Sequence, residues 1–156
     1  MCSSDLYGGE IWTVPRAGGH AVRLVTGQDR LTTPIFSPDG SRIAFTGRYD
    51  GNTDVYIVDA AGGEPRRLTW HPGPDEGVGW TPDGKRILFR SGRDTPRDLD
   101  RLYEVSADGG APEALPLPSG ETGSFSPDGK RIAYSPFLQW QPVWKHYRGE
   151  IGRAHV

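Results

Sequence analysis

The sequence has almost none of the cysteine that disulfides and cysteine-ligated metal sites require. Cys2 is the only cysteine in 156 residues, which rules out an internal disulfide and a multi-cysteine zinc site. No apolar run exceeds a few residues, so the sequence predicts no membrane-spanning helix and no membrane partner. The formal net charge is only −2, and the composition therefore indicates neither a nucleic-acid partner nor a polyacidic tail.

Glycine and proline are plentiful instead. The chain has 22 glycines and 14 prolines, yet aromatic residues make up 10% and the glycines follow no three-residue period. This composition argues against collagen and against plain disorder. We therefore expect a turn-rich, all-β chain.

The two ends resemble translations of the opposite strands of one sequencing-adapter oligonucleotide. The DNA GTG TGC TCT TCC GAT CT, with GTG as start codon, encodes the first six residues, MCSSDL, and its reverse complement encodes IGRAH near the other end. Such segments are set aside before the fold is considered. We expect residues 1–6 and 150–156 to be adapter-derived, residues 7–149 to be the domain, and the natural protein to continue beyond both ends.

Internal repeats predict the architecture. The segments FSPDGSRIAF, WTPDGKRILF and FSPDGKRIAY begin 44 and 45 residues apart, and Gly-Gly pairs follow the short apolar segments EIWTV, DVYIV and RLYEV. A repeat of about 40–45 residues with four short strands is typical of a β-propeller. We predict two complete four-stranded blades at 32–70 and 76–116, flanked by half blades at 7–25 and 122–135.

A Pro-Asp-Gly turn begins the second strand of each repeat. Proline presets φ, aspartate tolerates the third position of a type I turn, and glycine accepts the left-handed geometry that follows. The strand after each turn is apolar without alternation, so both of its faces should be covered by neighbouring blades. The predicted structural turn residues are Pro38, Asp39, Gly40, Pro82, Asp83, Gly84, Pro127, Asp128 and Gly129.

The innermost strand of each blade should line a central channel. These strands fall near 32–35, 77–80 and 123–125, and small residues there would keep the bore open. The predicted channel-lining residues are Thr33, Gly77, Gly79, Gly123 and Ser124.

No residue of the chain is a candidate for catalysis, for binding a cofactor or for binding a metal. There is no G-x-S-x-G elbow, the histidines lack metal-ligand spacing, and the acidic loop 94–100 lacks the pattern of a calcium loop. We interpret this loop as a solvated hairpin. The basic pairs at 66–67, 85–86 and 130–131 are interpreted as solubilising edge charges.

The segments NTDVYIVDAAGGEPRRLTWHPGPDEGVGWTPDGKRILFRS, RLYEVSADGGAPEALPLPSGETGSFSPDGKRIAYSP and WKHYRG resemble the N-terminal six-bladed propeller of tricorn-type serine proteases. More widely, the repeats are similar to TolB-type and prolyl-oligopeptidase propellers. The resemblance implies a large parent peptidase whose catalytic part lies outside this chain, and a propeller that scaffolds a channel for peptides. Its partners would be the remaining blades and protease domains, with peptides in the channel, in a homo-oligomeric, cytoplasmic parent. The alternatives are a stand-alone TolB-type protein-binding propeller of the periplasm and the lid propeller of a prolyl-oligopeptidase relative.

Overall fold

The computed structural model describes residues 9–27, 30–95 and 99–136. The predicted adapter-derived ends and the last part of the predicted domain, 137–149, lie outside these residues. In the described ranges, no helix is long and apolar enough to cross a membrane. The strands are β1 (Glu10–Thr13), β2 (Val22–Thr26), β3 (Leu31–Phe36), β4 (Arg42–Tyr49), β5 (Asn52–Asp59), β6 (Arg66–Arg67), β7 (Asp75–Trp80), β8 (Arg86–Ser91), β9 (Arg101–Ser106), β10 (Glu113–Ala114), β11 (Thr122–Phe125) and β12 (Ile132–Ser135).

The strands form four separate antiparallel sheets in chain order. Two of them have four strands, β3-β4-β5-β6 and β7-β8-β9-β10, and are here called the first and second complete blades. The pairs β1-β2 and β11-β12 are two-stranded half blades. The prediction of an all-β partial propeller, with two complete blades between two half blades, is confirmed.

Each Pro-Asp-Gly turn is closed by the side chain of its aspartate. In the first complete blade, Asp39 Oδ1 accepts hydrogen bonds from the hydroxyl of Ser37 at 2.5 Å and from the N–H of Ser41 at 3.1 Å. Gly40 follows with a φ of 73°. This is the left-handed region that glycine adopts without steric cost, so the chain can turn back into β4.

The apolar core lies between blades. One cluster joins the two complete blades and the other joins the first complete blade to the half blade β1-β2. Consecutive residues of β4 serve both clusters: Ile43 and Phe45 belong to the second and Ala44 to the first. Because side chains alternate across a strand, both faces of β4 are buried, as the run of apolar residues predicts.

Polar side chains also cross from one complete blade to the next. The indole N–H of Trp80 donates to the carbonyl of Ile35 at 3.0 Å. Arg66 donates to the carbonyls of Ala107 and Asp108 at 2.6 and 2.7 Å. Arg66 is exposed on the edge strand β6, but it has a second role, because its guanidinium binds two backbone acceptors that the neighbouring blade presents at its Gly-Gly turn.

Replacing Arg66 with methionine is expected to destabilise the chain by about 1–2 kcal/mol, because two charge-assisted hydrogen bonds between blades are lost. The matched control is Arg23→Met. Arg23 forms an exposed ion pair with Glu10 at 3.1 Å, and its loss should cost about 0.5 kcal/mol or less. Urea unfolding of both variants measures the difference. Equal losses would show that Arg66 does not link the blades.

The pKa of Asp39 predicts how the turn responds to acid. Hydrogen bonds from the hydroxyls of Ser37 and Ser41 lower the pKa of this carboxyl from 3.8 to about 2. Its contribution to stability is therefore present above pH 3.8 and is lost as the pH falls through about 2. Asp39→Asn should reduce the fall in melting temperature over this range, and Ser41→Ala should reduce it partly. Melting curves of both variants that run parallel to the original from pH 4 to pH 2 would contradict the assignment.

Candidate functional site

The first strands of successive units lie side by side. β7 contacts both β3 and β11, as expected for strands around a common axis. A Cβ atom placed on Gly79 would lie 3.9 Å from the carbonyl oxygen of Gly123, which shows how closely β7 and β11 approach. These three strands form a continuous wall, here called the inner wall.

The five predicted channel-lining residues all lie on the inner wall, but their environments differ. Thr33 and Ser124 are exposed, and Gly79 and Gly123 are half-buried. Gly77 is buried, and its N–H donates to a threonine hydroxyl of β4 at 2.9 Å. Of these five residues, only Thr33 and Ser124 have side chains that the wall can present. Contact of the five residues with a peptide stays a prediction.

Gly123 lies in a tightly packed position. A Cβ atom at this position would lie 3.1 Å from the side chains of Leu102 and Ile132 and 3.3 Å from the carbonyl oxygen of Ala133. These distances are tighter than ordinary van der Waals contacts, so the neighbouring atoms would have to shift by a few tenths of an ångström. A side chain at Gly79 would instead meet only ordinary contacts, so the two glycines have different reasons for being small.

Thr33 has a strained backbone. It lies in a β-bulge, where the pairing of β3 with β4 shifts between Thr32 and Ile35, and its φ is 54°. Positive φ is a genuine outlier for a β-branched residue, and such strain concentrates at functional sites. The equivalent bulge of β7, between Gly77 and Gly79, has no residue of positive φ.

A charged cluster lies at one end of the inner wall. Arg90 of β8 is hydrogen-bonded to Glu76 of β7 at 2.6 Å and to Glu121, which precedes β11, and Asp100 lies 3.7 Å from the same guanidinium. These four residues are here called the Arg90 cluster. One cation faces three carboxylates, so the Arg90 cluster has an excess of acidic groups.

Burial and neighbouring charges shift the pKa values of Arg90 and Asp100. Burial alone would lower the pKa of Arg90, but its hydrogen bonds with Glu76 and Glu121 outweigh this effect and raise that pKa. Burial, followed by repulsion from Glu121, raises the pKa of Asp100. Arg90 is thus a permanent cation, whereas burial and the charge of Glu121 favour the neutral form of Asp100.

Sequence reasoning missed the Arg90 cluster. Asp100 was assigned to a solvated loop, but its side chain is only 34% exposed and lies beside Arg90. One signal was available, because Thr32, Glu76 and Glu121 occupy the same position of the three repeats. Aligning the repeats would have placed two acidic residues at one height of the inner wall.

Two further ion pairs fix the same end of the complete blades. The carboxylate of Asp54 is fully buried, and Arg67 donates to it at 2.6 Å. Asp75 is also fully buried and pairs with Arg93. Burial raises the pKa of Asp54 while Arg67 opposes that shift. Arg67 is therefore a structural partner of a buried acid, and the interpretation of this residue as an edge charge is wrong.

The part of the chain that the structure describes has no candidate metal site. No three His, Cys, Asp or Glu side chains converge there in a way that could hold a metal ion. In the Arg90 cluster, the space between the carboxylates is occupied by the guanidinium. The inner wall, with the cluster at its end, is the best-defined candidate site.

Comparison with known proteins shows the family to which the chain belongs. A family model described as the tricorn protease N-terminal beta propeller domain matches residues 6–154. The chain belongs to this tricorn N-terminal propeller family. It is 30% identical over 142 residues to tricorn protease homolog 1 of Streptomyces coelicolor. This alignment covers 90% of this chain and 13% of that protein.

Two solved structures share the fold. A TolB-like protein from Agrobacterium tumefaciens superposes with a TM-score of 0.69 at 26% identity, covering 81% of this chain and 47% of that one. The tricorn protease superposes with a TM-score of 0.51 at 22% identity, covering 83% and 13%. The chain therefore spans a small part of the tricorn proteins and about half of the TolB-like one.

Replacing Thr33 with glycine is expected to stabilise this tricorn-type propeller chain by roughly 1 kcal/mol, because glycine adopts a φ of 54° without the steric cost that threonine pays. Thr32→Gly is the matched control. Thr32 pairs regularly with Thr46, so its replacement should destabilise by up to about 1 kcal/mol. Denaturant unfolding measures the free energy of unfolding of both variants. Destabilisation by Thr33→Gly as well as by Thr32→Gly would show that Thr33 is not strained.

Proposed function

We propose that the chain is a non-catalytic propeller segment of a tricorn-like serine peptidase. In this role it scaffolds the parent and gates the passage of peptides to or from a proteolytic core outside the 156 residues. The observation that carries the proposal is the inner wall of a tricorn-family propeller, where three first strands lie side by side and each includes small residues. Membership of the family supports the scaffold role, and the wall supports the passage of a chain along the axis.

The chemistry of the inner wall suits a passing peptide. Thr33 and Ser124 are exposed and small, so they can hydrogen-bond a peptide backbone without blocking the bore. The Arg90 cluster adds negative charge at one end, which favours the positively charged amino group or basic side chains of a peptide. Weak polar contacts of this kind allow entry and release.

The same proposal covers the partners, the oligomeric state and the location of the parent protein. Its partners would be the remaining blades and protease domains of the parent, together with peptides in the channel. We also propose a homo-oligomeric parent in the cytoplasm. The tricorn protease homolog of Streptomyces coelicolor is much longer than this chain, which leaves ample length for such domains.

A stand-alone TolB-type binding propeller is the second candidate. It is favoured by the superposition with the TolB-like protein, whose TM-score of 0.69 exceeds the 0.51 of the tricorn protease. The lid propeller of a prolyl-oligopeptidase relative is a third. The coding sequence beyond Gly149 separates the candidates: a serine-peptidase domain after further blades supports the tricorn proposal, and a stop codon after blade closure supports the TolB-type one.

Photo-crosslinking tests contact between peptide and wall. A photoreactive phenylalanine at Thr33 or Ser124 of the full-length parent should label a pool of fluorescent peptides, because both side chains face open space on the inner wall. The matched control is the same probe at Glu113, which is exposed on the outermost strand β10. Labelling at the control that equals labelling at both wall positions would contradict passage along the wall. Capture of a whole protein, with no peptide labelled, would support the TolB-type candidate.

A further inference from the structure

Five Asp-Gly sequences occur among the described residues, and each aspartate lies in a turn. Aspartate before glycine is prone to isomerise, because glycine has no side chain to shield its backbone nitrogen from the neighbouring carboxyl group. The five aspartates are Asp39, Asp50, Asp83, Asp108 and Asp128. Their hydrogen bonds differ, and this difference decides which of them the fold protects.

Four of the five glycines donate their backbone N–H within the turn. These bonds are 2.8–2.9 Å long and join Gly40 to Ser37, Gly84 to Thr81, Gly109 to Ser106 and Gly129 to Ser126. Among the described residues, the N–H of Gly51 has no such acceptor. Asp50 and Gly51 form the two-residue turn between β4 and β5, and in a turn of this kind the second N–H lies outside the strand ladder. The nitrogen of Gly51 is therefore open to solvent.

The carboxyl groups differ in the same way. In each Pro-Asp-Gly turn a hydroxyl donates to the aspartate, from Ser37 to Asp39, from Thr81 to Asp83 and from Ser126 to Asp128. These bonds lower the pKa of all three carboxyl groups and hold them in the ionised form, which resists nucleophilic attack. Asp108 is fixed through its main chain, because its carbonyl accepts from Arg66 and its N–H donates to the hydroxyl of Ser106. Asp50 is exposed, and no donor among the described residues binds its carboxyl group.

We propose that Asp50 and Gly51 are the site at which the folded chain undergoes spontaneous isoaspartate formation. The nitrogen of Gly51 attacks Cγ of Asp50, so that an N–Cγ bond forms and a succinimide ring closes. The carboxyl hydroxyl leaves as water together with the proton of the N–H. Water then adds to the main-chain carbonyl carbon of residue 50, and the bond from this carbon to the nitrogen of Gly51 breaks. The chain now runs through Cβ and Cγ of residue 50, with no net change in mass.

The backbone of this turn favours the same site. Asp50 has a φ of 52° and Gly51 a φ of 80°. The left-handed conformation has a steric cost for aspartate, whereas glycine adopts it freely. The turn is also an exposed loop tip, where local opening requires the least free energy. Ring closure needs rotation about the backbone of Asp50, and this turn resists that rotation less than the four whose glycine N–H is bonded.

The modification would reach the junction between the complete blades through Asn52. Tyr49 and Asn52 pair across the turn. The side-chain amide of Asn52 donates to the carboxylate of Asp54 at 2.9 Å and to the carbonyl of His71 at 2.7 Å. His71 lies in the connection from β6 to β7, which joins the two complete blades. Isoaspartate adds one carbon to the backbone of the turn, so it would displace Asn52 and loosen this connection.

Ageing the purified 156-residue chain at neutral pH and physiological temperature tests the site. Trypsin releases peptide 49–66, in which Asp50 is the only aspartate before glycine, and electron-based fragmentation distinguishes isoaspartate from aspartate. Relative to unaged chain, isoaspartate should accumulate at Asp50 at least about fivefold faster than at the other four sites, the factor that one net hydrogen bond supplies. Ageing in urea should bring the five rates together, because the turns then protect none of them. Equal rates in the folded chain, or a faster reaction at another Asp-Gly, would overturn the proposal.

Hydrogen exchange of residues 68–76 tests the link through Asn52. The isoaspartate form, separated by chromatography, should exchange at least about fivefold faster in this segment than unaged chain, because hydrogen bonds of Asn52 are lost. Asp50→Ser has no carboxyl group to close the ring, so its exchange should not change on ageing. Asp108→Ser is the matched control and should age like the original chain. Unchanged exchange in the isoaspartate form, or faster exchange in aged Asp50→Ser, would show that Asp50 does not control this connection.

Discussion

Each blade of this chain depends on its neighbours, because its second strand is apolar on both faces. Ile43 and Phe45 of β4 face the half blade β1-β2, and Ala44 faces the second complete blade. No single blade can bury both faces by itself. Stability therefore resides in the interfaces between units, as in other repeat proteins.

The polar contacts between units differ more from one interface to the next than the apolar contacts do. Between the complete blades, Arg66 reaches two carbonyls of the next blade. At the same position of the next repeat stands Glu113, which accepts an ion pair from Arg86 of its own blade at 3.0 Å. The second interface thus lacks the arginine bridge of the first. Repeats with one fold can therefore differ in how firmly successive blades are joined.

The blades could be predicted from the sequence because they depend on local, periodic signals. The Pro-Asp-Gly turns and the apolar strands after them recur every 44 to 45 residues, and they determined the number and order of the strands. The bulge at Thr33, the bridge from Arg66 and the Arg90 cluster could not be predicted in this way. Each depends on which atoms of separate repeats meet in space, and such contacts leave no period in the sequence. The inner-wall positions were predicted from topology alone, which locates a strand but not the burial of each side chain.

Equivalent positions of the repeats can make the same kind of contact with different chemistry. Thr46 of the first complete blade and Arg90 of the second occupy the same repeat position. The hydroxyl of Thr46 accepts a hydrogen bond from the N–H of Gly77 on the next inner strand, whereas Arg90 reaches the carboxylate of Glu121 beside the next one. Both side chains join one blade to the inner strand of the following blade, but the second contact is charged and recruits Glu76 as well. Because packing is already satisfied by a threonine, the fold does not require charge at this position. The contact thus changes from neutral to ionic between the two complete blades, and it places charged side chains at this end of the inner wall only in the second.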